Sequence, residues 1–174
     1  MIRGRATGFT LVEMLVVLVI IGVMIGGAVL AIGVAGRDRA LETAADRLAA
    51  LIEYAGEQAE LQSRDLGLSF LADQYSFLSF DPVTAQWLEI RDDELRPRRL
   101  PDGLAFEVSL EGRRIVVAET ATKLAPTPQI VIGASGELTP FAVTIRRTGT
   151  SSSILVETDD EGRVATGELQ EQTP

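Results

Sequence analysis

The stretch "RATGFTLVEMLVVLVIIG" (residues 5–22) places one carboxylate, that of Glu13, inside an otherwise apolar run. From Phe9 to Ala35, Glu13 is the only charged residue, and the run consists mainly of Leu, Val, Ile, Met, Ala and Gly. A helix of this span is about 40 Å long, and the hydrocarbon core of a bilayer is roughly 30 Å thick. We therefore predict a membrane-spanning helix over residues 9–36.

A secretory signal peptide is the alternative interpretation of this run. Its apolar region would be about 7–15 residues long and followed by a small-residue cleavage site, and the present run is longer. Arg3 and Arg5 precede the run, whereas Arg37 and Arg39 follow it. Together with the starting amine, these charges slightly favour a cytoplasmic N-terminus and a single crossing of the membrane.

Glu13 has two interpretations on the residue alone. A charged side chain in the middle of a membrane costs about 2.5–3.5 kcal/mol on insertion scales, so such a residue is normally paired or functional. Glu13 also lies only one helical turn, about 6 Å, from Phe9, and its carboxylate could reach the nearby interface. The residue by itself does not decide between the two.

The composition excludes much enzyme chemistry. The 174 residues contain no cysteine and no histidine, which removes disulfides, thiolate nucleophiles, Ser-His-Asp triads and the commonest zinc ligands. The net charge is −9, and the acidic residues lie almost wholly beyond residue 37. We expect one acidic, water-facing domain with one apolar extension, and this domain should be repelled by nucleic-acid phosphates.

Helical spacing continues past the apolar run. No proline, which would interrupt a helix, occurs before Pro82. Apolar residues recur at steps of three and four with charged residues between them, which predicts one helix from about residue 9 to about residue 62. Its second half, residues 37–62, is amphipathic and needs a partner surface. The apolar stripe consists of Leu41, Ala44, Ala45, Leu48, Leu51, Ile52, Ala55 and Ala59.

The rest of the chain, residues 63–166, is strand-like. Short β-rich runs separated by turn dipeptides such as Glu111-Gly112 and Glu161-Gly162 predict antiparallel hairpins. The charged, proline-containing residues 91–103 read as a surface connection, and the polar tail at residues 167–174 as frayed. We predict an α+β fold in which a small sandwich or curled sheet covers the helix stripe. The predicted strands are 66–72, 75–80, 86–90, 104–110, 113–119, 129–133, 141–147 and 152–158.

The start of the chain resembles the type IV prepilin family, which includes the pseudopilins of type II secretion systems. The motif "GFTLVEMLVVLVIIG" follows the short basic leader "MIRGRATG". The resemblance implies that prepilin peptidase removes residues 1–8 after Gly8, that Phe9 becomes the N-methylated first residue, and that Glu13 is the glutamate used in filament assembly. Many family members also carry a proline in the second half of this segment, and this chain has none there.

Three further segments refine this resemblance to a particular group of pseudopilins. Residues 47–70 are similar to the helix end and first strand of that group, and residues 157–164 to its final turn. "PTPQIVIGASGELTPFAVTIRR" (126–147) is similar to the signature region of the H-type minor pseudopilins, in which a Ser-Gly-Glu turn and a Thr-Pro-Phe step lead into the next strand. In this sequence the signature residues are Ser135, Gly136, Glu137, Thr139, Pro140 and Phe141. Without any family, the same residues read as a plain hairpin turn and a strand start with a core aromatic, and we favour this over direct partner contact.

The resemblance implies a function and a set of partners. We expect a minor pseudopilin at or near the tip of a periplasmic filament that drives folded proteins out through the outer membrane. Its partners would be other pseudopilin subunits, prepilin peptidase and the inner membrane, with a periplasmic C-terminal domain. A new amine at Phe9 would stay largely cationic at neutral pH and could pair with Glu13 of a neighbour. Gly22 and Gly26 have a spacing that lets membrane helices pack closely.

Two other functions stay open at this point. A minor type IV pilin that binds DNA during uptake would need a basic patch, but no lysine or arginine follows Arg163. A membrane-anchored periplasmic enzyme would need an acid–base constellation, and the two acidic runs, residues 92–94 and 159–161, read as solvated loop charges. The run at 159–161 also lacks the alternating ligand pattern of a calcium loop. We expect no catalytic residue, metal, cofactor, nucleic acid or small-molecule substrate.

Overall fold

The computed structural model describes residues 11–91, 94–119, 126–159 and 161–171, with the backbone alone for residues 26–38 and 171. The chain divides into two compact units, residues 1–37 and residues 38–174. One helix, α1, runs over Leu11–Gln62, so the predicted end of the helix is confirmed. Residues 9 and 10 of the predicted helix lie outside the described residues.

The end of α1 has a local cause at Ser63. This residue has a left-handed backbone with φ 48°, which turns the chain out of the helix. The N–H of Ser63 donates to the carbonyl of Glu60, and the N–H of Arg64 donates to the carbonyl of Ala59, both at 3.1 Å. These two bonds satisfy carbonyl groups that would otherwise be left without donors at the last turn.

The side chains of residues 11–25 in the first unit are exposed. Within the described part of the chain, no helix combines the length and the apolar character needed to cross a membrane. The membrane-spanning segment predicted over residues 9–36 extends beyond these described side chains, and it stays a prediction.

The second unit contains two antiparallel sheets. The strands are β1 (Leu66–Phe70), β2 (Gln74–Asp81), β3 (Gln86–Glu89), β4 (Arg98–Arg99), β5 (Leu104–Leu110), β6 (Arg113–Ile115), β7 (Ile130–Ile132), β8 (Phe141–Arg147), β9 (Ser152–Thr158), β10 (Val164–Thr166) and β11 (Gln170–Glu171). The first sheet has the order β3-β2-β1-β7, with β4 also paired to β2, and the second has the order β10-β9-β8-β5-β6, with β11 also paired to β9.

The stripe on α1 shares one hydrophobic core with the inner faces of both sheets. Six stripe residues are fully buried, namely Leu41, Ala45, Leu48, Ile52, Ala55 and Ala59. On the strands, buried and less buried residues alternate, as in β5 and β8, because successive side chains point to opposite faces of a sheet. An edge-on aromatic contact joins the two sheets, with 5.1 Å between the ring centroids of Phe70 and Phe106. The predicted α+β fold is confirmed.

The two sheets also meet through backbone hydrogen bonds at one corner. After β6, Ala118 pairs in parallel with Leu71, the residue that follows β1. The N–H of Ala72 donates to the carbonyl of Ala118 at 3.0 Å, and the N–H of Phe106 in β5 donates to the carbonyl of Ala72 at 2.9 Å. Residues 71–72 are therefore bonded on one side to β5 of the second sheet and on the other side to the segment that follows β6.

Two sequence predictions about loops were incomplete. Residues 98–99, inside the predicted surface connection, form β4 and pair with Gln74 and Tyr75. The tail expected to be frayed contains β11, whose Gln170 and Glu171 pair with β9. Both strands are two residues long and polar, and no local sequence pattern predicts them. They form because the backbone of a neighbouring strand is available for pairing.

Candidate functional site

The structure describes only some of the predicted N-terminal site residues. Gly8 and Phe9 lie outside the described residues. Glu13 is exposed and lies in the first turn of α1. Gly22 is in the helix, and a Cβ added to it would meet nothing within 4 Å. Gly26 lies in α1 with only its backbone described. The roles predicted for these residues in cleavage, methylation, assembly and helix packing stay predictions.

The signature residues Ser135, Gly136 and Glu137 form a tight turn after β7. The N–H of Gly133 donates to the carbonyl of Glu137, and the N–H of Gly136 donates to that of Gly133, both at 2.8 Å. Gly136 has φ 79°, a conformation that favours glycine. The hairpin turn expected from these residues is thus present.

This turn is held against the C-terminal end of α1. The side chain of Glu60 lies against Gly136, so a Cβ added there would overlap its carboxylate, which is exposed and would have to move. Beside it, the N–H of Ala134 donates to Oδ1 of Asp65, a residue just after the end of α1, at 2.9 Å. The signature turn is therefore hydrogen-bonded to the segment that follows the helix and lies beside the helix end. Sequence analysis missed the part of Glu60 and Asp65, because both contacts join distant parts of the chain.

The remaining signature residues have structural surroundings. The N–H and the hydroxyl of Thr139 both donate to the carbonyl of Val131, at 3.0 and 3.2 Å. Pro140 precedes β8, and Phe141 opens that strand with its side chain buried in the core. The N–H of Phe141 donates to the hydroxyl of Thr158 at 3.3 Å. The expected strand start with a core aromatic is confirmed.

Asp159 organises a second hairpin turn, between β9 and β10. Its Oδ1 accepts the N–H groups of Glu161 and Arg163 at 2.9 and 2.8 Å, and its Oδ2 accepts Nε of Arg163 at 3.3 Å. The backbone N–H of Arg163 is the largest cause that lowers the pKa of Asp159. Arg163 also pairs with Glu161 at 2.5 Å. Of the acidic runs read as loop charges, Asp92, Asp93 and Asp160 lie outside the described residues, and Asp159 is a turn-forming residue.

A shallow groove runs between α1 and these two turns, and we call it the helix groove. Its helix wall consists of Ile52, Glu53, Gly56, Glu57 and Glu60. The opposite wall consists of Gly136 and Leu138 from the signature turn and of Gly162, Arg163 and Val164 from the second turn. The described residues contain no group of three or more His, Cys, Asp or Glu side chains placed to hold a metal ion. The helix groove is thus a shallow depression lined by residues of α1 and of both turns.

The architecture defines a class of protein before any comparison is made. A long N-terminal helix whose amphipathic second half shares a core with antiparallel sheets is the pilin-like arrangement. A family model described as the type II transport protein GspH matches residues 44–162, and a model of the prokaryotic N-terminal methylation motif matches residues 3–29. The chain belongs to the GspH family, as its resemblance to the H-type minor pseudopilins predicted.

Similar proteins and structures agree with this assignment. The chain is 37% identical over 162 residues to the type II secretion system protein H of Pseudomonas aeruginosa, covering 90% of this chain and 92% of the relative. It is 29% identical over 171 residues to protein H of Aeromonas hydrophila, covering 93% of each.

Two solved structures have the same fold. The minor pseudopilin EpsH of Vibrio cholerae superposes with a TM-score of 0.64 at 21% identity, covering 78% of this chain and 99% of that one. The solution structure of Escherichia coli GspH gives 0.54 at 17% identity, covering 78% of this chain and 89% of that one. At these identities the likeness shows the fold alone.

Proposed function

We propose that this chain is a minor pseudopilin, a structural subunit at or near the tip of the pseudopilus of a type II secretion system, where it helps to export folded proteins across the outer membrane. The observation that carries the proposal is the pairing of two matches in one chain. The family match covers residues 44–162, and the methylation motif covers residues 3–29. The relatives with matching length are named as protein H of that system.

Processing of the N-terminus is part of the proposal. Prepilin peptidase cuts after Gly8, and Phe9 becomes the methylated first residue of the mature chain. The new amine has a reference pKa of about 7.7–8, so it is largely protonated at neutral pH. Residues 9–36 then anchor the chain in the inner membrane in a single pass, with the N-terminus in the cytoplasm and the second unit in the periplasm.

In this proposal Glu13 sets the position of one subunit relative to the next in the filament, and we call this role the assembly register. In a filament of parallel helices, its carboxylate meets the Phe9 amine of a neighbouring pseudopilin. Two unit charges about 4 Å apart attract by about 4 kcal/mol at an effective dielectric constant near 20, before the cost of desolvation is subtracted. This pairing explains why a carboxylate is present at position 13, although the free energy of membrane insertion alone disfavours it.

The proposed role is a structural one, without enzymatic activity and without nucleic acid as a partner. DNA binding depends on lysine and arginine contacts to phosphates. The segment after Arg163 carries Glu168 and Glu171 and no basic residue, and the whole chain has a net charge of −9. These charges support a subunit of protein export over a DNA-uptake pilin.

The proposal is tested by complementing a strain that lacks this chain and measuring export of folded proteins. Glu13→Leu and Glu13→Gln should leave cleavage after Gly8 intact, as seen on an immunoblot, but reduce cross-linking to neighbouring subunits and export. Glu13→Asp, which keeps the charge with a shorter reach, should fall between them and wild type. Full cross-linking and export with Glu13→Leu would refute the register. A wild-type chain that fails to restore export would refute the proposed function.

A further inference from the structure

Gly56 in the helix groove is a glycine that this chain does not need for its own packing. It lies in the middle of the amphipathic half of α1, where glycine weakens a helix relative to alanine. A Cβ added at Gly56 would meet nothing within 4 Å. The contrast with Gly136 is direct, since a Cβ there would overlap Glu60. Space is therefore left open above Gly56 on the outer side of the helix.

The charged residues of the helix wall around this open space are all acidic. Glu53, Glu57 and Glu60 are all exposed and lie at spacings of four and three residues, so they are neighbours on the helix surface. Like charges at these spacings destabilise a helix. None of the three forms an ion pair with another described residue of this chain. Ion pairs with the part of the chain that the structure describes therefore do not offset the cost of holding them together.

The cation on the opposite wall is already engaged. Arg163 pairs with Asp159 at 3.3 Å and with Glu161 at 2.5 Å, and those two carboxylates belong to its own turn. The groove thus presents three carboxylates that form no ion pair among the described residues, beside a position where another backbone can approach closely. A segment carrying Lys or Arg side chains complements this surface.

We infer that the helix groove receives a Lys- or Arg-bearing segment of a different pseudopilin subunit, which packs over Gly56 and pairs with Glu53, Glu57 and Glu60. A second copy of this chain is a poorer occupant, because two chains of net charge −9 repel each other. The inference rests on the proposed function, since it takes the partner to be a neighbouring subunit of the filament.

The test uses the full chain in its own secretion system, with a photo-cross-linking amino acid at position 57. The matched control carries the same amino acid at position 42, because Glu42 is exposed on the same helix but outside the groove. Position 57 should give a covalent product with one other pseudopilin, and the cross-linked peptide should contain Lys or Arg. Position 42 should not. Equal products at the two positions, a product with a second copy, or a peptide without basic residues would overturn the inference.

Variants sharpen the same measurement. Glu53→Lys should lower the cross-link at position 57 by about threefold or more, whereas Glu42→Lys should leave it unchanged. Gly56→Ala should raise the unfolding temperature of the detergent-extracted chain by about 4 °C, because helix propensity improves and no clash arises. The same variant should lower the cross-link, because its methyl group occupies the approach site. A cross-link that Gly56→Ala leaves at the wild-type level would contradict the inference.

A third cross-linker position distinguishes a failure of the groove inference from a failure of the proposed function. At Leu18, in the apolar half of α1, the proposed function requires contact with neighbouring pseudopilins. Products at position 18 without a product at position 57 would overturn the groove inference and leave the proposed function standing. Absence of pseudopilin products at both positions would overturn both.

Discussion

The packing over Gly67 in β1 makes a quantitative prediction for Gly67→Ala. Gly67 is buried on the side of the first sheet that faces away from the main core, where Pro128 and Trp87 cover it. A Cβ at this position would lie 2.5 Å from Cβ of Pro128, 2.9 Å from its Cγ and 3.1 Å from Cζ3 of Trp87. The first two distances are far below van der Waals contact, and the proline ring cannot rotate away.

The net cost follows from two opposing effects. Overpacking of this kind costs at most about 3 kcal/mol, because the ring, the indole or the strand must shift. Replacing glycine by alanine also restricts the unfolded chain, which returns about 0.4–1 kcal/mol. We therefore expect the free energy of unfolding to fall by about 2 kcal/mol. With a urea dependence of about 2 kcal/mol per molar, the midpoint should fall by about 1 M.

The assay is urea unfolding of a soluble fragment that begins at Asp38, followed by circular dichroism. Gly133→Ala is the matched control, because its added Cβ would have no atom nearer than 3.6 Å. The control should change stability by no more than about 1 kcal/mol, in the stabilising direction. Pro128→Ala should rescue Gly67→Ala in part, with a coupling of about 1 kcal/mol or more in a double-mutant cycle. Equal stability of Gly67→Ala and Gly133→Ala would refute the reasoning.

Three other predictions follow from the same structure. Phe141→Ala should lower the free energy of unfolding of the fragment by about 3–4 kcal/mol, because it empties a core position, and a urea midpoint equal to wild type would contradict this. Asp159→Asn should be less stable than wild type at neutral pH. The pKa of Asp159 is lowered from 3.8 in the folded state, so the stabilisation by its charge is present above that pH and is lost as the pH falls below it. Urea midpoints of the two proteins should therefore converge on acidification, and a constant difference would argue against the lowered pKa of Asp159. Intact mass of the membrane-extracted chain should correspond to a start at methylated Phe9, whereas a chain that retains Gly8 would disprove the cleavage site.

The regular parts of the fold were predictable because their patterns are local. The three- and four-residue spacing of the helix stripe predicted an end of α1 at about Gln62, and the β-rich runs at residues 104–110 and 141–147 predicted β5 and β8 at their observed bounds. In each case one face of the element is buried, and burial imposes the period of the element on the sequence. The turn at Glu111-Gly112 was predictable from its glycine, since Gly112 has φ 76°, a conformation that favours glycine. The φ of 48° at Glu111 is uncommon for a glutamate and was not predictable.

Less of the candidate site could be predicted from the sequence. The signature turn was recognised, but its anchoring by Glu60 and Asp65 depends on contacts between residues far apart in the chain. Gly67 reads as an ordinary strand residue, and nothing near it indicates that Pro128 lies above it. Gly56 is similar, because only the folded structure shows that a side chain would have room there. Local patterns specify elements, whereas the surfaces between elements depend on how they pack.

The corner where residues 71–72 bond to the second sheet has a consequence for unfolding. The carbonyl of Ala72 accepts the N–H of Phe106 in β5, and the N–H of Ala72 donates to Ala118 after β6, so separation of the two sheets at this corner breaks both hydrogen bonds. Two sheets linked in this way should open together in one cooperative transition. In hydrogen exchange, the amides of Ala72 and Phe106 should then be protected by the full free energy of global unfolding. Coupling of this kind leaves no partly opened form with a bare sheet edge, and such edges are where secreted chains aggregate before they are incorporated into an assembly.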